Sequence, residues 1–457
     1  MEWMTERLHQ FDGRAIAEGD AATLTYAGFV ERIAHWRDVL DQWRIAPGER
    51  IGLVADYHIE VVALIVALIG NGCVVVPLPD DEASVLDERL DIVCATRLIR
   101  VVGGATQATC HDLAFSGEVS PLLNQLVAHH KPGFVIFTSG STGKSKAVLL
   151  DFERMVEKFR SKARNGFRTL LFLKLDHIGG LNTLFSVILN GGTVVTCGGR
   201  QAAEICACVE TNAVELLPTT PSFLTMLLMS GVYRDYDLSS LKVITYGTEA
   251  MPESTLVGLH RAFPGVVLKQ TYGLSELGIL ATQSKDSSSR WMKIGGAGYE
   301  VKVQNGTLWI KSASAMLGYL NAPSPFDADG WYDTGDKVAV DGEYVQILGR
   351  ESEIINVGGE KVFPIEVESF LLTLDNVRDV IVRNKPSPVL GQIVWAEFVL
   401  AQPEDAAAFR KRVVDACRGR LAPFKIPGLI TLARADTLVG DRFKKIRKSK
   451  AATPAVP

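Results

Sequence analysis

Thr138-Ser139-Gly140-Ser141-Thr142-Gly143-Lys144-Ser145-Lys146 follows directly on the apolar run Phe134-Val135-Ile136-Phe137. A short buried strand thus feeds a turn dense in glycine, hydroxyl and lysine. Glycines let a backbone approach a polyanion, amides and hydroxyls donate to phosphate oxygens, and lysines neutralise their charge. A plain surface turn needs no such density. The Gly143-Lys144-Ser145 ending is like that of a P-loop, but that motif requires a glycine five positions before the Gly-Lys pair. Thr138 stands there instead, so the P-loop reading fails.

Outward from this loop, apolar runs alternate with helical stretches up to about residue 270. Leu170 to Leu173, Gly192 to Thr196 and Leu241 to Thr245 read as strands, and Ile205 to Thr211 and Ser222 to Leu228 as helices. Val61 to Ile69 reads as a buried helix leading into the strand Cys73 to Leu78. It is broken by Gly70-Asn71-Gly72 and is too short to span a bilayer. Such alternation predicts an α/β fold with largely parallel sheets and ligands bound beyond the strand ends. From about 296 to 350, short β-like pieces (Glu300 to Val303, Thr307 to Lys311, Glu343 to Ile347) separated by Gly, Asp and Asn turns predict a small β-rich subdomain. Residues 351 to 457 read as a separate α+β module. The expected organisation is a large N-terminal domain over 1–350 and a small C-terminal domain over 351–457.

Composition excludes several classes. A chain of 457 residues exceeds one compact core, and its apolar and charged fractions are those of a globular enzyme. A net charge of −4 offers no basic footprint for nucleic acid. The seven cysteines are scattered, with no CxxC pair, which argues against a disulfide framework and a zinc site. Reduced thiols and an acidic N-terminus without an apolar core predict a cytoplasmic protein with no signal peptide and no membrane span.

The loop over 138–147 resembles the phosphate loop of the adenylate-forming superfamily, which includes acyl- and aryl-CoA synthetases, luciferases and peptide-synthetase adenylation domains. That loop runs Thr-Ser-Gly-Ser/Thr-Thr-Gly-x-Pro-Lys-Gly, and only Ser145 and Ala147 depart from it here. Further segments follow in the family's order. Thr271-Tyr272-Gly273-Leu274-Ser275-Glu276 resembles Tyr-Gly-x-Thr-Glu. Tyr332-Asp333-Thr334-Gly335-Asp336 resembles Tyr-x-Thr-Gly-Asp. Gly349-Arg350 opens the hinge segment, and Gly358-Gly359-Glu360-Lys361-Val362 continues it towards Pro364 and Glu368.

The resemblance implies roles residue by residue. Thr138, Ser139, Gly140, Ser141, Thr142, Gly143 and Lys146 would hold the phosphates of ATP. Glu276 would hold Mg²⁺, Ser275 would contact a phosphate, and Tyr272 and Gly273 would lie beside the adenine. Asp336 would bind the ribose, with Arg350 close by. His177 falls where acyl- and aryl-CoA synthetases place a histidine facing the acyl site. Ser352 takes the hinge position, and Gly358, Gly359 and Lys361 would line the thiol channel.

The family's terminal lysine contacts carboxylate and α-phosphate during adenylation. In Phe443-Lys444-Lys445-Ile446-Arg447, the Lys-Ile pair points to Lys445, while a lysine followed three residues later by arginine points to Lys444. Lys445 is the assignment taken, with Lys444 as the alternative.

The implied activity is ATP-dependent conversion of a small carboxylic acid to its acyl-adenylate, then transfer to the thiol of coenzyme A. Ile178 occupies the position where α-amino-acid adenylation domains carry an ammonium-pairing aspartate, so an aryl or acyl substrate is expected. Two alternatives stand beside this reading. One is a stand-alone enzyme loading the phosphopantetheine of a carrier protein; the other is a non-catalytic nucleotide-binding scaffold, which the intact Glu276, Asp336 and Arg350 argue against.

Overall fold

The computed structural model describes residues 2–18, 23–102, 107–115, 117–139, 145–161, 166–433 and 445. Two seven-stranded sheets form the larger part. In the first, the order is Gly318–Tyr319, Ser145–Asp151, Gly133–Ser139, Val74–Leu78, Arg50–Val54, Arg97–Val102 and Gln107–Asp112. Gly133–Ser139, Val74–Leu78, Arg50–Val54 and Arg97–Val102 run parallel, and each of the other strands pairs antiparallel with its neighbour. In the second, Val267–Gln270, Val243–Tyr246, Leu216–Thr219, Arg168–Leu170, Thr193–Val195 and Ala15–Glu18 run parallel, with Thr23–Thr25 antiparallel at the edge.

The first sheet is assembled from a parallel strand, a crossover helix and the next strand. The crossover Ile59–Gly70 explains the apolar run read from the sequence. Every side chain from Val61 to Ile69 is at most 2% exposed, because a helix apolar all round is stable only where it is buried all round. With Ile178–Leu189 it packs into a core that also takes Ile51 and Val75 from one sheet and Val194 from the other. Phe152 and Phe185 meet edge-on there at 4.9 Å between ring centroids, a geometry aromatic pairs favour.

A six-stranded antiparallel sheet follows, in the order Thr282–Ser284, Met292–Ile294, Tyr344–Arg350, Tyr332–Asp341, Thr307–Ser312 and Tyr299–Gln304. It begins earlier than the texture change at 296 suggests, because Gln283 and Lys293 pair across a turn rich in serine. A small C-terminal unit has its own core. Helices Pro364–Leu371 and Ala406–Cys417 cover a sheet built on the long hairpin Val377–Ser387 and Gly391–Leu400. The fold is therefore α/β, with a large N-terminal and a small C-terminal domain.

One strand reading is corrected. The apolar run Leu170 to Leu173 continues as strand only through Leu170. Beyond it Leu171 and Phe172 are buried, the Leu171 amide still reaching the Val195 carbonyl at 2.9 Å, and hydrophobicity alone does not distinguish a buried strand from a buried loop. Among the described residues no helix is long and apolar enough to cross a membrane. All seven cysteines are free thiols.

Candidate active site

Asp336 and Arg350 face one another across the paired strands Tyr332–Asp341 and Tyr344–Arg350. Arg350 Nε lies 3.3 Å from Asp336 Oδ1, and the Tyr272 hydroxyl donates to Oδ2 at 2.5 Å. The turn before Asp336 is set by Gly335 at φ +67°, where a side chain would be strained. The Asp336 amide then donates to Thr334 Oγ1 at 3.0 Å. Burial raises the Asp336 carboxyl above its ordinary range, and the Arg350 guanidinium opposes that shift. Burial also drives the Tyr272 hydroxyl well above its usual value, with the adjacent Asp336 adding to it. Tyr272 therefore keeps its proton and is the donor, and the Asp336 carboxylate is the acceptor. A carboxylate offers about four acceptor positions, so Asp336 retains capacity for a hydroxyl pair after these two contacts.

A second cluster joins the loop to the acidic residue. Thr138 pairs with Lys146 across the two strands that flank the loop. Lys146 Nζ sits 4.8 Å over the ring of Tyr319, whose hydroxyl donates to Glu276 Oε1 at 2.6 Å. Tyr319 reaches this place because Gly318–Tyr319 pairs with Ser145–Asp151, opposite Val148 and Leu149. Asn321 secures the same strand, accepting from the Ala147 amide and donating to the Ser145 carbonyl, each at 2.9 Å. Burial raises the Tyr319 hydroxyl, with Glu276 and Tyr332 adding to it. Tyr332 in turn feels Glu276, Arg350 and Asp336. The two clusters are thus one polar surface. Gly273 belongs to it for steric reasons, since a Cβ there would fall 2.5 Å from the Gly278 carbonyl oxygen.

The resemblance implies Mg²⁺, and the carboxylate beside Lys146 and Tyr319 at this surface is Glu276. Among the described residues no group of three His, Cys, Asp or Glu side chains converges. One carboxylate completed by substrate phosphates is the usual environment of this ion, so Glu276 fits it.

On the other side, His177 caps the helix Ile178–Leu189. Its Nδ1 accepts from the Gly179 amide at 3.0 Å, which leaves Nε2 to carry the proton of the neutral ring. Ile178 is buried at 2% exposure in the first turn. Gly180 is required there, because a Cβ would approach the Lys174 carbonyl oxygen to 2.0 Å. Glu249, after the strand Val243–Tyr246, accepts from the Ser222 hydroxyl at 3.0 Å. Beside it Thr248 is exposed at φ +74°, a conformation rare for a β-branched residue.

Not every expected residue gathers at this surface. Gly140, Ser141, Thr142, Gly143 and Lys444 lie outside the described residues, as does the side chain of Ser139. Ser275 is half-buried beside Glu276, and Ser352 is exposed just after Arg350. Gly358, Gly359 and Lys361 are exposed on the hairpin Ile355–Val357 and Glu360–Val362 of the C-terminal unit. The Lys445 ammonium does not lie at this surface. It is buried within the C-terminal unit, 3.3 Å from Glu368 Oε2 and 3.4 Å from Asp379 Oδ1. Sequence reading also missed Tyr319, Asn321, Thr248 and Glu249. The only signal for them was composition: a lone Tyr, an Asn near a Pro, and a Thr-Glu pair after a strand.

Lys146, on a strand that flanks the glycine-rich segment, thus stands by Tyr319 and Glu276 at one surface of a two-domain α/β fold. The chain belongs to the AMP-binding enzyme family, whose model matches residues 4–320, with the AMP-binding enzyme C-terminal domain matching 366–438. It is an adenylate-forming enzyme. It is 29% identical to an indoleacetate–CoA ligase of Aromatoleum aromaticum over 73% of this chain and 69% of that one. It is 30% identical to a 2-succinylbenzoate–CoA ligase of Bacillus subtilis over 69% of each chain. The crystal structure of an anthranilate–CoA ligase with anthranoyl-AMP shares its fold, with a TM-score of 0.79, 20% identity, and 94% of this chain and 92% of that chain covered.

Proposed function

We propose that this enzyme activates a carboxylic acid without an α-amino group, aryl or acyl, as its adenylate and transfers the acyl group to coenzyme A. The observation that carries the reading is the continuous polar surface from Lys146 through Tyr319 and Glu276 to Tyr332, Asp336 and Arg350. It offers cationic, acidic and neutral donor groups in the sequence that a nucleotide presents phosphates, metal and ribose. The CoA ligases among its relatives support the acceptor.

ATP and a carboxylate are both anions, so bringing them together is first an electrostatic task. Lys146 and the loop amides would hold the polyphosphate, and Mg²⁺ held by Glu276 would neutralise part of its charge. Asp336 would accept from the ribose hydroxyls, with the Arg350 guanidinium beside it opposing the effect of its burial. A carboxylate oxygen then attacks the α-phosphorus in line, the bond to the bridging oxygen breaks, and pyrophosphate leaves. His177, whose Nδ1 is engaged by the Gly179 amide, would face the acyl group. The thiol sulfur then attacks the acyl carbon, loses its proton to solvent, and AMP departs. For this second step the C-terminal domain would turn near Ser352 and bring Gly358, Gly359 and Lys361 to the site.

Burying an unpaired ammonium at Ile178 is costly, which disfavours α-amino acids. The test is pyrophosphate release over aromatic, aliphatic and amino acids, followed by thioester formation with coenzyme A alone. An α-amino acid preferred by more than about tenfold, roughly 1.4 kcal/mol, overturns the substrate class. Adenylate formation without any turnover of coenzyme A points instead to a carrier-protein acceptor.

A further inference from the structure

We infer that Cys197 and Cys208 form an oxidation site, at which a hydroperoxide converts the thiol pair to a reversible disulfide. The ground is where the fold puts the two sulfurs. The turn 196–201 leaves the strand Thr193–Val195 and runs straight into the helix Ala202–Thr211. Glu204 ties turn and helix together. Its Oε2 accepts from the Gln201 amide at 2.8 Å, and a Cβ on Gly199 would fall 2.0 Å from the same oxygen. The turn is therefore pressed against the first turn of the helix.

Glu204 and Cys208 are four residues apart and share one helix face. The Cys197 sulfur lies 3.6 Å from the Glu204 carbonyl oxygen. The Cys208 sulfur lies 3.6 Å from the carbonyl oxygen of Thr196, the residue bonded to Cys197. Each thiol thus reaches the backbone beside the other, and the two thiols are themselves in hydrogen-bond contact. A disulfide needs side chains that point towards one another across a short gap, and these two do. Cys206 is also on this helix, but two residues from Cys208 it points from another face.

The pair is divided in its chemistry. Cys197 is partly exposed, whereas Cys208 is buried. Contact with Cys208 lowers the Cys197 thiol to about 6, with burial and Glu204 opposing and the Gly199 amide and Arg200 assisting. An accessible thiolate beside a second thiol is the arrangement in which the first is oxidised and the second resolves it. The Cys197 thiolate attacks one peroxide oxygen; an S–O bond forms, the O–O bond breaks, and hydroxide or alkoxide leaves. The Cys208 sulfur then attacks the sulfenic sulfur, so that an S–S bond forms and the S–O bond breaks. The Cys208 proton leaves with that hydroxyl as water. The two sulfurs together give up two electrons, and the peroxide bond takes them. A dithiol reverses the step by exchange.

The test uses the full-length reduced protein, hydrogen peroxide as the oxidant and tryptic mapping without reductant. Trypsin cuts at Arg200, between the two cysteines, so the disulfide appears as two joined peptides. That joined pair is expected in the unmodified protein and in Cys206→Ser, and dithiothreitol should separate it. It should be lost in Cys208→Ser, where dimedone should instead trap Cys197 as its sulfenic acid. Peroxide that oxidises other cysteines while Cys197 stays a free thiol overturns the inference. So does a joined pair that survives Cys208→Ser or disappears in Cys206→Ser, because Cys206 would then be the partner. Conversion of Cys197 to sulfinic acid in the unmodified protein, with no joined pair, equally overturns it, since Cys208 would then resolve nothing.

Discussion

The Tyr272 hydroxyl donates to Asp336 Oδ2 at 2.5 Å, joining a segment next to the parallel sheet to the antiparallel sheet of the same domain. Both side chains are under 10% exposed, so the bond is made in a poorly screened environment. A hydrogen bond to a charged acceptor contributes about 2 kcal/mol. Tyr272→Phe removes that donor and nothing else, and should lower stability by this amount and weaken ATP binding in calorimetric titration. Unchanged denaturation and an unchanged ATP affinity would show that the bond positions nothing.

Glu276 and Tyr319 give a graded pair of outcomes. Glu276→Ala removes the carboxylate proposed to hold Mg²⁺, so pyrophosphate release should vanish while the melting temperature stays near normal. Glu276 is half-buried on the polar surface, not in a core, which is why folding is spared. Tyr319→Phe keeps the carboxylate but frees it to rotate. The expected cost is about tenfold in kcat/KM, close to 1.4 kcal/mol for one lost orienting bond. Normal turnover in Glu276→Ala refutes the metal assignment, and an inactive Tyr319→Phe would mean the phenol does more than orient.

Much of this architecture is legible in the sequence because local pattern and tertiary environment agree. Val61 to Ile69 reads as a buried helix, and it is buried on every face. The run Phe134 to Phe137 reads as a strand entering a loop, and Gly133–Ser139 is that strand. The short runs in the region 300–347 read as β structure and pair as neighbours in sequence. Legibility ends where contacts are long-range. Tyr319 meets Glu276 only because its two-residue strand pairs with residues some 170 positions earlier, and no periodicity signals such pairing. Lys445 shows the same limit for charge. The sequence displays two adjacent lysines, and which ammonium is buried depends on Glu368 and Asp379, more than sixty residues away.

Cys197 offers a test of the electrostatics at the end of the strand Thr193–Val195. A hydrogen bond from Cys208 lowers its pKa, against the opposing effect of burial. The Cys208 thiol is raised by the same contact and by burial, so the proton resides on that sulfur. Cys197 is also partly exposed, whereas Cys73, Cys94, Cys206, Cys208 and Cys417 are buried. Cys110 is accessible, but burial raises its thiol. A thiolate is the reactive form. Limiting iodoacetamide near pH 7 should therefore modify Cys197 first, and Cys208→Ala should slow the reaction. Peptide mapping that finds Cys110 alkylated first would reverse the assignment.

Thr248 stands in the left-handed region at φ +74°, exposed, between the buried Gly247 and the Glu249 that receives the Lys445 amide. That conformation costs a branched residue about 1–2 kcal/mol, and such strain persists where the surroundings impose it, often at functional sites. Glycine adopts the same angles freely but loses roughly 0.5–1 kcal/mol through its more mobile unfolded chain. Thr248→Gly should therefore stabilise the protein by no more than about 1.5 kcal/mol. The loop lies past the C-terminal end of a parallel strand, where α/β folds bind ligands. If the threonine serves the acid site, the more stable variant will have a raised KM for the acid and an unchanged KM for ATP. A variant that gains stability with both constants unchanged would show that the strain is only tolerated, and that the acid pocket is shaped without Thr248.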